Sequence, residues 1–247
     1  MLVHTVPCFL KCRAAPQCGA SDRLALSNAT ASGIWSSASP AVATVSATGV
    51  VTAKSAGISV ISYVVTNTNG CVTTVSTTVT VNALPVVANI TGTASVCMGA
   101  TTALANATAS GVWSSGTTSV ATVSATGVVT GIAAGTSVIS YTVIINGCST
   151  TSTSTITVNA LPVVANITGT FSVCMGSTTA LANATALGVW SSATPGVATV
   201  STTGVVTAIS SGTSVVSYTV TTNGCSTMVS QTITVIGLPS TPVVKAE

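Results

Sequence analysis

The 247-residue chain carries only seven charged side chains, five Lys or Arg and two Asp or Glu, and its net charge is +3, with all of them except Lys54 near the two ends. From Leu24 to Val244 the single formal charge is Lys54. This distribution provides no basic face for nucleic acid and no polybasic patch for anionic lipid. The mean hydropathy is +0.77, but Thr, Ser or Gly interrupt the apolar residues so often that no run approaches the ~18 residues of a membrane-spanning helix.

The first residues predict neither a strand nor a secretion signal. Their apolar stretch is short, is broken by His4, and has no basic residue before it. We therefore expect residues 1–17 to form an irregular N-terminal segment. His4, Cys8, Cys12 and Cys18 could hold zinc in principle, but they lack the close cysteine pair of ordinary zinc sites. A leader with a spare cysteine pair is the favoured interpretation, and Cys8 and Cys12 could alternatively cross-link two chains.

The remainder is a threefold repeat. Trp35, Trp113 and Trp190 recur at intervals of 78 and 77 residues, and a Leu-Pro dipeptide recurs every 77 residues. The one-residue difference falls in a turn, where an insertion is tolerated. We predict repeat 1 at 18–83 with a truncated first strand, repeat 2 at 84–160, repeat 3 at 161–237, and a linker or the start of a further repeat at 238–247.

Each repeat has the hydrophobic period of a strand. In "TSTSTITV", which runs from Thr151 to Val158, polar and apolar side chains alternate, and β-branched residues dominate. Asn-Gly pairs at 69–70, 146–147 and 223–224 predict hairpin turns, because both central residues of a type I′ turn need positive φ. Thr-Gly pairs at 48–49, 126–127 and 203–204 mark further turns. About seven short strands in fewer than 80 residues indicate an all-β fold of small tandem β-sandwiches.

Six cysteines belong to the repeats, and a unit this small needs a supplement to its core. Pairing within repeats predicts Cys18–Cys71, Cys97–Cys148 and Cys174–Cys225, and each bridge would stabilise its unit by about 4 kcal/mol in the loop-entropy model. The alternative links neighbouring repeats through Cys71–Cys97 and Cys148–Cys174. Because that scheme leaves Cys18 and Cys225 unpaired, pairing within repeats is favoured. Disulfides imply an oxidising compartment, which is the periplasm, the cell surface or the outside.

One tryptophan per repeat is predicted to be the central core residue, because a large buried ring is what a small sandwich most lacks. A surface platform for sugar stacking is the alternative. The predicted core has four positions per repeat: Trp35, Trp113 and Trp190; Leu26, Leu104 and Leu181; Val45, Val123 and Val200; Tyr63, Tyr141 and Tyr218.

The order of motifs carries a family resemblance. "GVWSS", "VATVSATGVVTG" and "AAGTSVISY" follow one another in repeat 2, with close copies in the other two repeats. This order resembles the group 2 bacterial immunoglobulin-like domain. The resemblance implies an immunoglobulin-like fold in tandem arrays on secreted or cell-surface bacterial proteins, including adhesins. The cysteine-bearing "SVCMG" and "NGCST" are also similar to repeats of long secreted proteins of gliding bacteria.

The residue inventory argues against catalysis. Residues 24–244 contain no Asp, Glu or His, so neither a general acid–base pair nor a nucleophile with a positioned base can be assembled there. No cofactor or metal site is predicted, because calcium sites normally include carboxylates. Five Asn-x-Thr sequons occur, and we expect them to be unmodified unless the source glycosylates secreted proteins. They begin at Asn28, Asn89, Asn106, Asn166 and Asn183.

Two functions remain. The first is a structural or adhesive array that acts as a rigid stalk or a self-assembling fibre subunit, with a second copy or a neighbouring cell-surface component as partner. Proline in the Leu-Pro linkers stiffens the joints, and sheet edges without charge invite self-association. The alternative is a ligand-binding module whose outward threonines meet a glycan or ice. Those threonines are Thr78, Thr80, Thr155, Thr157, Thr232 and Thr234.

Overall fold

The computed structural model describes residues 8–11 and 23–239. Of residues 8–11 only the backbone is described. These residues form strands and connecting turns, and the strands fall into three successive sandwiches. Sandwich 1 contains β1 (Cys8–Lys11), β2 (Arg23–Ala25), β3 (Ile34–Ser37), β4 (Ala43–Val45), β5 (Val50–Ala53), β6 (Gly57–Thr66) and β7 (Val72–Asn82).

Sandwich 2 contains β8 (Thr91–Gly92), β9 (Ser95–Cys97), β10 (Thr101–Ala105), β11 (Val112–Ser115), β12 (Ala121–Val123), β13 (Val128–Gly131), β14 (Gly135–Ile145) and β15 (Cys148–Asn159). Sandwich 3 contains β16 (Thr168–Gly169), β17 (Ser172–Cys174), β18 (Thr178–Ala182), β19 (Val189–Ser192), β20 (Ala198–Val200), β21 (Val205–Ala208), β22 (Gly212–Thr222) and β23 (Cys225–Ile236). The residue limits of the three repeats stay a prediction.

The strand order identifies the fold. In sandwich 2 one sheet runs β8-β10-β13-β12 and the other β11-β14-β15-β9, and sandwich 3 repeats this arrangement. All neighbours are antiparallel except β9, which pairs parallel with β15. Two sheets with these connections correspond to the two facing sheets of an immunoglobulin domain, with the short parallel strand added at one edge. The predicted all-β, tandem immunoglobulin-like architecture is confirmed.

Small β-branched side chains fill the space between the sheets. Ile139 and Ile156 are fully buried in sandwich 2 and pack in one cluster with Val129. Along β15 the exposed Thr155 and Thr157 alternate with the buried residues. The period of two that is visible in the sequence therefore marks the inner and outer faces of the sheet.

The tryptophans lie nearer the rim of the core than predicted. Tyr141 is only 6% exposed, whereas Trp113 is half-buried and packs against the buried cluster. Their ring planes are tilted by 55°, with centroids 4.7 Å apart, and the pairs in the other sandwiches have similar geometry. The Thr-Gly turn covers the indole, because a Cβ at Gly127 would lie 3.2 Å from the Trp113 ring. The predicted leucine and valine neighbours belong to the same three clusters.

Sandwich 1 departs from the prediction at its beginning. Within the segment expected to be irregular, β1 pairs parallel with β7, and Lys11 lies opposite Asn82. In sandwich 2 the matching pair is Cys97 opposite Asn159. The parallel edge strand of sandwich 1 is therefore present. The counterpart of β8, the first strand of sandwich 2, falls outside the described residues, so the truncated first strand stays a prediction. The facing sheet has three strands among the described residues, in the order β2-β5-β4.

Candidate functional site at the joints between sandwiches

The joint between sandwiches 2 and 3 brings two strand ends against a hairpin tip. β9 ends at Cys97 beside Asn159, the last residue of β15. The hairpin of β22 and β23 turns at Asn223-Gly224, directly before Cys225. Both turn residues have positive φ, 51° and 78°, as predicted for a type I′ turn. The tip of sandwich 3 therefore reaches back to the end of sandwich 2.

A disulfide closes this joint. Cys97 and Cys225 are bonded, with their Cα atoms 5.6 Å apart and 128 residues between them in sequence. Cys225 is 1% exposed, and the Cys97 sulfur lies 3.8 Å from the Gly224 carbonyl oxygen. The bond joins two sandwiches and lies within neither.

The predicted pairs Cys97–Cys148 and Cys174–Cys225 are therefore wrong. Cys148 begins β15, and Cys97 lies beside the opposite end of the same strand. Eleven residue steps at ~3.3 Å place the two ends roughly 36 Å apart, whereas the Cα atoms of a disulfide lie within about 7 Å. The alternative pairing of Cys148 with Cys174 is also not formed, because both are free thiols. Cys18 lies outside the described residues, and its predicted partner Cys71 is an exposed free thiol.

A hydrogen bond from an asparagine side chain accompanies the disulfide. The Asn159 side-chain amide donates to the Asn223 carbonyl oxygen at 3.4 Å, and at the preceding joint Asn82 donates to the Asn146 carbonyl oxygen at 3.2 Å. Sequence reasoning missed both donors. The available signal was the recurrence of Asn immediately before Ala-Leu-Pro in two successive repeats.

The joint between sandwiches 1 and 2 has the same shape without the covalent bond. Cys148 is 1% exposed, and its thiol donates weakly to the Asn82 carbonyl oxygen at 3.8 Å. Lys11 occupies the register position that Cys97 holds at the next joint. Cys148 is therefore a buried thiol in a position where its counterpart Cys225 is bonded.

The linkers are held by side chains of the following sandwich. In the linker before β8, the Ala88 amide donates to the Thr108 hydroxyl at 2.9 Å, and the Asn106 side-chain amide donates to the Ala88 carbonyl oxygen at 2.7 Å. Ala165, Thr185 and Asn183 repeat both bonds at the next linker. In two of the five sequons the asparagine, Asn106 or Asn183, is half-buried and its side-chain nitrogen donates this hydrogen bond. The asparagines of the other three sequons are exposed. A glycan on Asn106 or Asn183 would displace this clamp.

The loop before each tryptophan is fixed by a tyrosine hydroxyl. Tyr141 accepts a hydrogen bond from the Gly111 amide at 2.8 Å and donates one to the Thr108 carbonyl oxygen at 2.7 Å. Tyr63 and Tyr218 make the same two bonds in their sandwiches. Thr108 therefore links the loop of sandwich 2 to the preceding linker as well as to the core.

The described residues offer little other chemistry. No group of three or more His, Cys, Asp or Glu side chains suited to a metal ion occurs among residues 23–239. No helix in the described part of the chain is long and apolar enough to cross a membrane. His4, Cys12 and Cys18, which are possible but not favoured as zinc ligands, lie outside the described residues, and only the backbone of Cys8 is described.

Comparison with known proteins gives distant structural similarity only. No family model matches the chain, and no curated protein matches it. Among solved structures, the S-layer protein rSbsC is 16% identical with a TM-score of 0.27, and the match covers 86% of this chain and 36% of that one. Drosophila N-cadherin is 12% identical with a TM-score of 0.27, with 86% and 69% covered. A SusE-like surface-located polysaccharide-binding protein of Bacteroides thetaiotaomicron is 12% identical with a TM-score of 0.36, with 93% and 45% covered. These scores are too low to carry an argument, so the fold assignment rests on the strand topology.

Proposed function

We propose that this chain is a non-catalytic, stiff segment of an extracellular or bacterial cell-surface protein, and that it serves as a stalk or as the subunit of a fibre. The observation that carries the proposal is the disulfide Cys97–Cys225, which locks two successive sandwiches end to end. The bond lies between two sandwiches and within neither. Its mechanical effect is to restrict bending at the joint.

Three further kinds of contact support a stiff array. The Asn159 amide bridges the same joint, and the Asn82 amide bridges the preceding one. The linkers are clamped by Asn106 and Asn183. In the first linker Leu84 packs against the core of sandwich 1 and Pro85 is buried. Segments held at both ends lose the freedom that a flexible linker needs.

The composition supports a non-catalytic role, and the disulfide supports an extracellular location. Lys54 is the only ionisable Asp, Glu, His, Lys or Arg side chain between Leu24 and Val244, so proton transfer lacks a donor or acceptor near neutral pH. A disulfide persists in oxidising surroundings. Assignment to the group 2 bacterial immunoglobulin-like domains is part of the same proposal, and it rests on the motif order around the tryptophan of each repeat.

Small-angle X-ray scattering of the purified chain, before and after reduction, tests the stalk. We expect a narrow distribution of extended shapes for the oxidised chain and a broader one after reduction, because reduction releases the joint between sandwiches 2 and 3. Cys97→Ser should reproduce the effect of reduction, and Cys174→Ser, which removes an exposed free thiol, should leave the scattering of the isolated oxidised monomer unchanged. An oxidised chain that scatters as a freely jointed set of sandwiches would contradict the proposal.

Ligand binding through threonine faces is the second candidate. Thr155, Thr157, Thr232 and Thr234 are exposed on the outer faces of β15 and β23. A regular hydroxyl array can meet a glycan or ice, but the twist of a sandwich face is a poor match for a flat lattice. Glycan-array binding or thermal hysteresis by the purified chain would favour this function over the stalk.

A further inference from the structure

Cys174 ends β17 of sandwich 3, in the setting that Cys97 has at the bonded joint. Cys174 is in register with Ile236, as Cys97 is with Asn159. The amide after each cysteine, that of Met175 or Met98, donates to the carbonyl of its register partner at 2.9 Å. Cys174 is an exposed free thiol. The backbone of a disulfide half-site is therefore repeated at this end.

Cys71 is the matching half-site, in the hairpin turn of sandwich 1. It precedes Val75, the register partner of Tyr63, by four residues, just as Cys225 precedes Val229, the partner of Tyr218. Its hairpin is one residue longer than that of sandwich 3. The Cys71 amide donates to the Asn67 side-chain oxygen at 2.9 Å, and the Asn67 amide donates to the Cys71 carbonyl oxygen at 3.0 Å. The longer turn therefore places its cysteine in the loop directly before β7, at the same number of residues from the tyrosine's register partner as Cys225.

Both of these thiols are exposed. The hairpin cysteines Cys148 and Cys225 are each 1% exposed under the preceding sandwich, whereas Cys71 is exposed. Near it Val72 is 60% exposed, and beside Cys174 the apolar Ile236 and Leu238 are 50% and 62% exposed. Burial of such apolar surface against a second sandwich is favourable.

We propose that Cys174 of one copy forms a disulfide with Cys71 of a second copy, so that the joint between sandwiches 2 and 3 is repeated between molecules. The inference rests on the proposed fibre function and specifies how its subunits join. Two observations carry it together: the two free thiols occupy complementary half-sites, and the same pair of positions is bonded inside the chain as Cys97 and Cys225. The contact is head to tail, and because it does not close on itself it produces an open chain of copies.

The chemistry is a thiol–disulfide exchange. An oxidant of the disulfide class, such as oxidised glutathione, accepts two electrons and the two thiol protons, and it leaves as two thiols. The new bond joins the sulfur atoms of Cys174 and Cys71. At this joint Ile236 stands where the earlier joints have an asparagine. Apolar contact would therefore replace the hydrogen bond that the asparagine side chain donates at those joints.

Oxidation of the purified chain by glutathione disulfide, followed by non-reducing electrophoresis, tests the proposal. We expect a ladder of multimers that collapses on reduction. Mass spectrometry should identify a Cys71–Cys174 peptide after chymotryptic digestion, since no Lys or Arg lies between Lys54 and Lys245 for trypsin.

Three variants make the test specific. Cys71→Ser and Cys174→Ser should each remove this peptide and the ladder that depends on it, and an equimolar mixture of the two should stop at a cross-linked dimer. Cys148→Ser removes a buried thiol and should leave the ladder intact. The inference would be overturned if oxidation gave monomers only. It would also be overturned if Cys71–Cys71 and Cys174–Cys174 peptides accompanied the Cys71–Cys174 peptide in the proportions of random pairing. Those results would leave the stalk untouched if the scattering of the oxidised monomer remains that of a stiff array.

Discussion

Cys97 and Cys225 are bonded although 128 residues separate them and each has another repeat cysteine nearer in sequence. The bond forms because the end of one sandwich meets the hairpin tip of the next. Each cysteine is brought to that contact by the strand that carries it, β9 or β23. The disulfide is thus a property of the array rather than of the single domain.

The first prediction concerns this bond. Cys97→Ser should leave the three cores folded, because no core cluster contains Cys97, and should open the joint. We expect the linker between β15 and β16 to be cleaved by elastase at least ~10-fold faster, which needs only ~1.4 kcal/mol of lost joint stability. Mass spectrometry of the fragments over time measures the rate.

The control for this variant is Cys174→Ser, which changes an equivalent but exposed cysteine. Its linker should be cleaved at the rate of the unmodified chain under non-reducing conditions. Equal rates for all three proteins would show that the disulfide does not restrain the joint.

The second prediction creates a disulfide at the first joint. Lys11 lies opposite Asn82 as Cys97 lies opposite Asn159, and Cys148 is buried at this joint. In the Lys11→Cys variant the introduced thiol should therefore form a disulfide with Cys148 under mild oxidation, and peptide mapping would detect it. Leu10→Cys is the matched control, because adjacent residues of a strand point to opposite faces. A bond from the control but not from Lys11→Cys would refute the register of β1.

The third prediction concerns the tyrosine clamp. Tyr141→Phe removes the hydroxyl that accepts from the Gly111 amide and donates to the Thr108 carbonyl. An unsatisfied, partly buried backbone group costs about 1–3 kcal/mol, so the free energy of unfolding of sandwich 2 should fall by that amount. Urea denaturation with hydrogen exchange of peptides from sandwich 2 measures the change. Thr151→Ala, which removes an exposed hydroxyl bonded only to Thr142, should change it by no more than ~0.5 kcal/mol.

The fourth prediction concerns a glycine that sequence reasoning passed over. A Cβ at Gly111 would overlap the Tyr141 ring, which lies in the packed core. Gly111→Ala should therefore destabilise sandwich 2 by ~1–3 kcal/mol or more through overpacking, and Tyr141 should lose its bond to the loop. Gly196→Ala is the control, because a Cβ there meets no atom within 4 Å. If Gly111→Ala and Gly196→Ala lower the temperature of thermal unfolding equally, the clash is not the cause.

Much of the single sandwich could be predicted from local sequence. The alternation of Thr155 and Thr157 with Ile156 and Val158 indicated which side chains face inward, because successive strand residues point to opposite faces. The Asn146-Gly147 pair indicated a type I′ turn, and both residues have positive φ. In sandwich 1 the same dipeptide lies in a longer loop, where only Gly70 of Asn69-Gly70 has positive φ. There the Asn67 side chain replaces the missing backbone pairing.

The residue pattern by itself determined the threefold repeat, its strand character, its near lack of ionisable groups and which strand residues face inward. These properties follow from side-chain periodicity and composition, which are local. Only the tertiary structure decided the partner of Cys97, the role of Asn159 and the restraint on the linkers. Each depends on where the end of one sandwich lies relative to the tip of the next, and the intervals between cysteines in a sequence carry no information about that distance.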